Sequence, residues 1–457
     1  MRPWPLLLLA LSATAGDNLQ SPSLIDYARQ ARAARLRGDH PVWLEQGLKA
    51  LALAPDNPDV LISVARAQAA LGQSKEALRT LRQAIDRGTG LDIPLVPEFQ
   101  KLPPSEDLQI ITERSRANLA PVARAQLFAV IPDSTRRSEG IAYDPLSLHL
   151  FAGTVHGEIL RIDQSGVVSV LVPRDKGLRE VLGIKVDPER RLIWAATGTF
   201  PDLFSLEPQK PEAGMAGVLA YSLKDGALVE KHWLDERPTL HGFNDLALAH
   251  NGDVYVTDTP QNAVYRLRRG RLEVLVRDNR MTLVNGIALA PDQKRLYVAH
   301  AEGISLVDLD SGKPQLLRTP SNVSVHSIDG LAYDRGALIG VQSSPYLARV
   351  IRIELSRDGR SVVRAVTLNA RSPAEYSQTT ARGCRWPTLR RRGYAGGGLG
   401  RQTAGQGTEA ADPSHSPRTL PISAIKVNMR QRTLFADCFA GWGFGSAENR
   451  VDRSPLI

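Results

Sequence analysis

One phrase recurs five times in this chain, and that recurrence limits the fold more than any other property of the sequence. Its clearest copies are FNDLALAHNGDVYVTDT from Phe243, VNGIALAPDQKRLYVAH from Val284 and IDGLAYDRGALIGVQ from Ile328. Two earlier copies are SEGIAYDPLSLHLFAGT from Ser138 and VLGIKVDPERRLIWAAT from Val181. Each copy runs from a Gly or Asp anchor into a short alternating strand, a turn and a second strand. The anchors Gly140, Gly183, Asp245, Gly286 and Gly330 are 43, 62, 41 and 44 residues apart. A unit of that length with several strands cannot bury its own apolar face and must stack on copies of itself, which predicts a β-propeller. Five blades are legible: 138–173, one starting at 181 with a Pro- and Gly-rich insertion, 243–276, 284–317 and 328–368. Closure predicts a sixth, either from about 371 onward or as a split blade completed near Leu127–Ile131. The expectation is a mainly β, six-bladed propeller over 126–380.

The rest of the chain is read by contrast. Arg2 followed by PWPLLLLALSATA has the basic start, apolar run and small-residue site of a secretory leader, predicted over 1–15, and implies export to a periplasm or the outside. No other stretch is apolar for long enough to suggest a membrane helix. Across 21–89 the apolar period becomes helical and repeats at 34 residues, pairing Gly38 with Gly72, Ala31 with Ala65 and Ala50 with Ala84. This stretch resembles two tetratricopeptide repeats. It predicts either a groove for a partner protein or a helical cap packed on the propeller. Prolines 94, 97, 103 and 104 mark 90–125 as a linker with one short helix. The net charge of +9 hints at nucleic acid, but a run of arginines from Arg382 to Arg401 accounts for much of it. A basic face on a folded domain is therefore not implied, and nucleic-acid binding is set aside. Alternation stops in that same stretch, so 381–457 reads as an Arg/Gly-rich tail, disordered or translated out of frame. Cys384 and Cys438, the only two cysteines, both lie there and exclude a disulfide framework.

The residues just before the five anchors are Glu139, Leu182, Asn244, Asn285 and Asp329. In a propeller the first strand of each blade lines the central channel, so equivalent positions lie at one height around it. Glu139, Asn244, Asn285 and Asp329 then offer two carboxylates and two amide oxygens, a hard donor set suited to Ca²⁺, with Mg²⁺ or Mn²⁺ as alternatives. The competing reading is that Asn and Asp before Gly are turn formers at a strand start.

These phrases resemble the family of senescence marker protein, gluconolactonase and luciferin-regenerating enzyme over roughly 138–345. The resemblance implies that Glu139, Asn244, Asn285 and Asp329 hold a divalent metal. It further implies hydrolysis of a lactone or similar ester, with the metal polarising the carbonyl and Asp329 acting as base. Two positions depart from the family pattern. Gly242 stands where gluconolactonases carry a sugar-contacting Arg, and the glutamate phrase is Ser-Glu-Gly. A small-molecule lactone or ester of unspecified kind is thus the expected substrate. His241 and His326, three residues before Asn244 and Asp329, are candidate substrate contacts, and His156 and His300 follow second strands. The rival expectation is a non-catalytic propeller that binds a ligand or partner, with the helical repeats as its docking surface.

Overall fold

The first regular element starts on a reciprocal cap: the Asp26 N–H donates to the Ser23 hydroxyl, and the Ser23 N–H donates to the Asp26 carboxylate. Helix α1 (Leu24–Leu36) leads into α2 (His40–Leu53), capped by Asp39. α3 (Pro58–Ala70) starts on Asn57 with Pro58 at its first position, where a missing N–H costs nothing, and is followed by α4 (Ser74–Asp86). Gly38 and Gly72, one repeat apart, both turn the chain at φ +75° with nothing near a built Cβ. Backbone conformation, not space, is what demands glycine there. Two single-turn helices at Ile93–Leu95 and Phe99–Lys101 precede α5 (Glu106–Asn118), capped by Ser105. This computed structural model describes residues 22–131, 137–203, 209, 211–344, 346–371 and 423–427.

The strands begin with β1 (Gln126–Ile131) and then fall into five antiparallel four-stranded sheets. The first blade is β2 (Ser138–Tyr143), β3 (Leu150–Thr154), β4 (Ile159–Ile162) and β5 (Val168–Val172). The second is β6 (Glu180–Asp187), β7 (Leu192–Gly198), β8 (Ala216–Ser222) and β9 (Leu228–Leu234). The third is β10 (Phe243–Leu248), β11 (Val254–Asp258), β12 (Ala263–Arg268) and β13 (Arg271–Arg277). The fourth is β14 (Ile287–Leu289), β15 (Arg295–His300), β16 (Gly303–Asp308) and β17 (Pro314–Leu316). The fifth is β18 (Ile328–Asp334), β19 (Ala337–Gln342), β20 (Arg349–Leu355) and β21 (Val362–Ala370). A final strand, β22 (Ser423–Val427), pairs in parallel with β1. Five blades are therefore shown. A complete sixth is not seen among the described residues, and the leader expected at 1–15 and most of the 381–457 tail lie outside them.

The core lies between blades, as the repeat argument requires. Phe151 and Ile159 of the first blade pack with Ile184 and Leu219 of the second, and Trp194 of the second packs with Phe243 and Tyr265 of the third. Val264 of the third meets Ile287 and Val298 of the fourth, whose Tyr297 and Ile304 meet Leu331 and Ile351 of the fifth. Nearest the axis the innermost strands crowd one another. A Cβ on Gly140 would fall 2.6 Å from Leu182 O, one on Gly183 2.4 Å from Asn244 O, and one on Gly286 2.6 Å from Leu331 N. The repeating glycine column is thus a matter of close backbone approach, the opposite reason from Gly38 and Gly72.

The helices pack as a layer on one end of the propeller. α3 is buried on nearly all sides, the mark of a helix with neighbours all round. Leu24, Ile25, Val60 and Val64 share a core with Leu203 and Ala301, in loops between second and third strands, and with Leu283, just before the innermost strand of the fourth blade. Leu61, Leu81 and Phe99 share another with Tyr346, just past β19. Of the two expectations for the repeats, the packed cap is what the structure shows. It covers the end at which the innermost strands begin, the same end as the oxygen-bearing column.

Candidate active site

Each innermost strand starts with a break in its ladder. In the first blade Glu139 and Gly140 lie between the pairs Ser138–Thr154 and Ile141–Ala152, in the second Leu182 is the extra residue, and in the fifth Asp329 is. In the third blade the shift spans Asn244 and Asp245. In the fourth, Asn285 N–H donates to Ala299 O while Ala299 N–H donates to Gly286 O, each at 2.8 Å, again two residues against one. Bulges re-aim side chains and interrupt pairing. The repeated phrase therefore encodes one bulge per blade, with a glycine following in four of the five so that the strands still fit round the axis.

Glu139, Asn285 and Asp329 are brought together. Asn285 Nδ2 donates to Asp329 Oδ1 at 2.7 Å across the boundary between the fourth and fifth blades. Burial, and then the Glu139 carboxylate facing it, hold the Asp329 carboxyl well above the usual carboxylate range, against the pull of hydrogen bonds from Asn285 and Ser343. Asn285 Oδ1 is buried with no hydrogen-bond partner. Asn244 is also buried, with its Nδ2 donating to Thr259 Oγ1 at 3.3 Å. Thr259 Oγ1 in turn donates to Val284 O at 2.7 Å, and Thr257 Oγ1 to Asn285 O at 2.7 Å. Thr257 on β11 and Thr259 just past its end thus fix the strand start that presents Asn285.

A cavity of about 50 Å³ opens beside this group, lined by Asn57, Asn285, His300, Ser327, Asp329 and Ser344 among others. Asn57 belongs to the helical layer, so the cap forms part of the wall. His300 accepts the Glu302 N–H on Nδ1, which leaves Nε2–H to donate to Ser305 Oγ at 2.9 Å. Burial, reinforced by His326, pushes its pKa down to about 3, and it is a neutral imidazole. His326 is buried close by, with Nδ1 3.4 Å from Ser324 Oγ, and burial pushes it down to about 4. It does not line the cavity. Nor does His241, which is held between Asp258 Oδ2 at 2.6 Å on Nδ1 and Glu236 at 3.3 Å on Nε2. Burial opposes a charge on His241, but Asp258 and then Glu236 outweigh it and hold its pKa above the usual histidine value. Gly242 packs where a Cβ would lie 2.7 Å from the Phe200 ring, so no larger side chain fits there without a shift.

Sequence reasoning missed Ser327, Ser343, Ser344, Thr257, Thr259, Asn57 and Asp59. Serines and threonines carry no spacing signal. Asn57 and Asp59 read only as a helix start, with no hint of what that start touches.

Among the described residues no cluster of three or more His, Cys, Asp or Glu forms a metal site. The donor set is instead mixed: two neighbouring carboxylates, an orphaned amide oxygen on Asn285, and Asn244 in the same register. An oxygen-only set of that kind fits a hard divalent cation such as Ca²⁺, which would relieve both the carboxylate repulsion and the orphaned oxygen.

No family model matches the chain, and no curated protein does. Solved structures similar to it include a putative gluconolactonase at 18% identity, covering 63% of this chain and 88% of that one, TM-score 0.39. A calcium-binding protein, regucalcin, from Agrobacterium tumefaciens is 16% identical over 53% of this chain and 79% of that one, TM-score 0.38. A luciferin-regenerating enzyme is 14% identical over 54% and 80%, TM-score 0.38. Likeness at this level settles nothing about function, which rests on the site itself.

Proposed function

We propose that the chain is a divalent-cation-dependent hydrolase of a lactone or ester, exported through its leader, with Glu139, Asn244, Asn285 and Asp329 holding the cation. The observation that carries this is the buried, partnerless Asn285 Oδ1 beside two mutually repelling carboxylates. A buried polar atom without a partner costs about 1–3 kcal/mol, and a fold that keeps one has a use for it.

When bound, the cation supplies Lewis-acid polarisation of the substrate carbonyl. Asn285 Nδ2 fixes the Asp329 carboxylate from one side and leaves the amide oxygen for the cation. Asp329 takes a proton from the water that adds to the carbonyl carbon, acting as general base. The acyl C–O bond then breaks, and that proton passes to the leaving alkoxide oxygen. Ser343 steadies Asp329 through the cycle, and the packed helical layer limits access of bulk water.

The test is a panel of lactones and aryl esters assayed with Ca²⁺, Mn²⁺ and Mg²⁺, before and after chelation. Turnover abolished by chelator and by Asp329→Ala supports the reading. The cavity size favours a second reading, a cation-holding propeller without turnover. About 50 Å³ admits water or an ion, whereas small-molecule pockets run to about 300 Å³ or more. Tight cation binding with no hydrolysis of any substrate in the panel would decide for that alternative.

A further inference from the structure

The helical layer meets the candidate site at the start of α3. Asp59, in the first turn of α3, is 1% exposed and accepts Ser327 Oγ–H on Oδ2 at 2.7 Å and Ser344 Oγ–H on Oδ1 at 2.5 Å. Ser327 lies two residues before Asp329, and Ser344 follows Ser343, whose side chain bonds Asp329. The two loops are also joined directly, Ser343 N–H donating to Ser327 O at 3.1 Å. Ser327 holds φ +55°, a left-handed conformation that a serine keeps only when its surroundings fix it. Its side chain is held by the bond to Asp59, and Ser327 leads straight into the bulge that presents Asp329. Asn57, two residues earlier, ties the same helix start to Ala301 O at 2.8 Å, the loop after His300.

We infer that Asp59 is a positioning residue for Asp329: it clamps the two loops flanking that carboxylate and makes the helical layer a working part of the site. The inference rests on the reading of Asp329 as cation ligand and base. Its structural consequence, ordered loops around Asp329, can be read without any cation.

The test uses the full chain with Asp59→Ala, Asp59→Asn and Ser344→Ala. Hydrogen exchange in chelator reads the amides of Ser327, Asp329 and Ser343, and calorimetric titration with Ca²⁺ reads the site. In Asp59→Ala those amides exchange about tenfold faster while β10 is unchanged, and the Ca²⁺ dissociation constant rises about tenfold, as removal of an outer-shell partner does elsewhere. Asp59→Asn keeps an acceptor for one hydroxyl and a donor for the other, so it restores most of both effects. Ser344→Ala removes a single bond and shows a smaller change of the same sign, which keeps the test alive should Asp59→Ala not fold. Unchanged exchange at the three amides in a folded variant overturns the inference. So does unchanged Ca²⁺ affinity in a variant whose parent binds Ca²⁺. If the parent binds no cation, the hydrolase reading falls, and exchange alone decides the role of Asp59.

Discussion

Asp245 and Asp329 stand one register position apart on the bulges of the third and fifth blades, both next to the channel and both buried, yet their surroundings differ in kind. Asp245 accepts Lys185 Nζ from the second blade at 2.7 Å, its neighbour's Leu246 N–H at 2.8 Å and Ile287 N–H from the fourth blade at 3.3 Å. It is a rivet across three blades. Asp329 receives hydrogen bonds from Asn285 and Ser343 but faces a second carboxylate, Glu139, and a partnerless amide oxygen. Paired acidic residues in a repeat are thus told apart by what satisfies them, not by the phrase they stand in. A satisfied carboxylate holds the fold, and a repelled one waits for a cation.

The sharpest way to break that contrast is to remove each carboxylate's role separately. Asp329→Ala removes base and ligand together and lowers kcat/KM by about 10⁴-fold, at the upper end for a general base, while the thermal midpoint in chelator stays level or rises. A midpoint that falls by more than a few degrees would make Asp329 a structural residue like Asp245. Lys185→Met leaves the Asp245 carboxylate buried without its cation and lowers unfolding free energy by about 3–5 kcal/mol in urea denaturation. If it costs under about 1 kcal/mol, Asp245 is no rivet.

The pH dependence separates the same two neighbourhoods. His300 and His326 have folded pKa values of about 3 and about 4, below the ordinary 6.5, so their contribution is complete above pH 6.5 and is lost as pH falls from 6.5 toward those values. By pH 5 each has withdrawn on the order of 2 kcal/mol. Asp329 works in the opposite sense. Its folded pKa is raised, so its contribution is complete below the ordinary carboxylate pKa and is lost as pH rises. In chelator the two trends partly cancel between pH 6.5 and 4. Asp329→Asn removes one of them and leaves a steeper acid loss than the parent shows, measurable as urea midpoints across that range. Parallel curves for the two proteins would mean that Asp329 titrates as an ordinary carboxylate.

What could be read beforehand follows from how each feature is encoded. The propeller was legible because inter-blade cores require the same alternation in every unit, and the helical segment because its period changes from that of strands. The register of Glu139, Asn244, Asn285 and Asp329 was legible as spacing, but not the bulges that present them, since a bulge is a property of two strands and shows in neither alone. Asp245 was legible as an anchor that orients the backbone round the axis, but not its pairing with Lys185, which lies 60 residues away. The covering of the channel end by α3 was open in the sequence, where a groove and a cap share one amphipathic pattern. Asp59 and Ser327 meet across 268 residues with no local signal at either end.

The smallest effect concerns the glycine column that lets these bulges coexist. Gly286 has no unusual φ, yet a Cβ there would lie 2.6 Å from Leu331 N and 2.9 Å from Gly330 C, the backbone that directly follows Asp329. Gly286→Ala therefore pushes the fifth innermost strand outward, with an overpacking cost of about 1–3 kcal/mol. The displaced backbone carries Asp329, so Ca²⁺ affinity falls along with stability. Gly38→Ala is the matched control: its cost, about 1 kcal/mol, comes from the left-handed backbone at φ +75° in open space, far from the column in both cause and contacts. Calorimetric Ca²⁺ titration of the two variants should show weakened binding in Gly286→Ala and parental binding in Gly38→Ala. Equal Ca²⁺ affinities in the two would mean that the close approach of the fourth and fifth strands supports the fold alone. Asp329 would then keep its place by some means other than the packing beneath it.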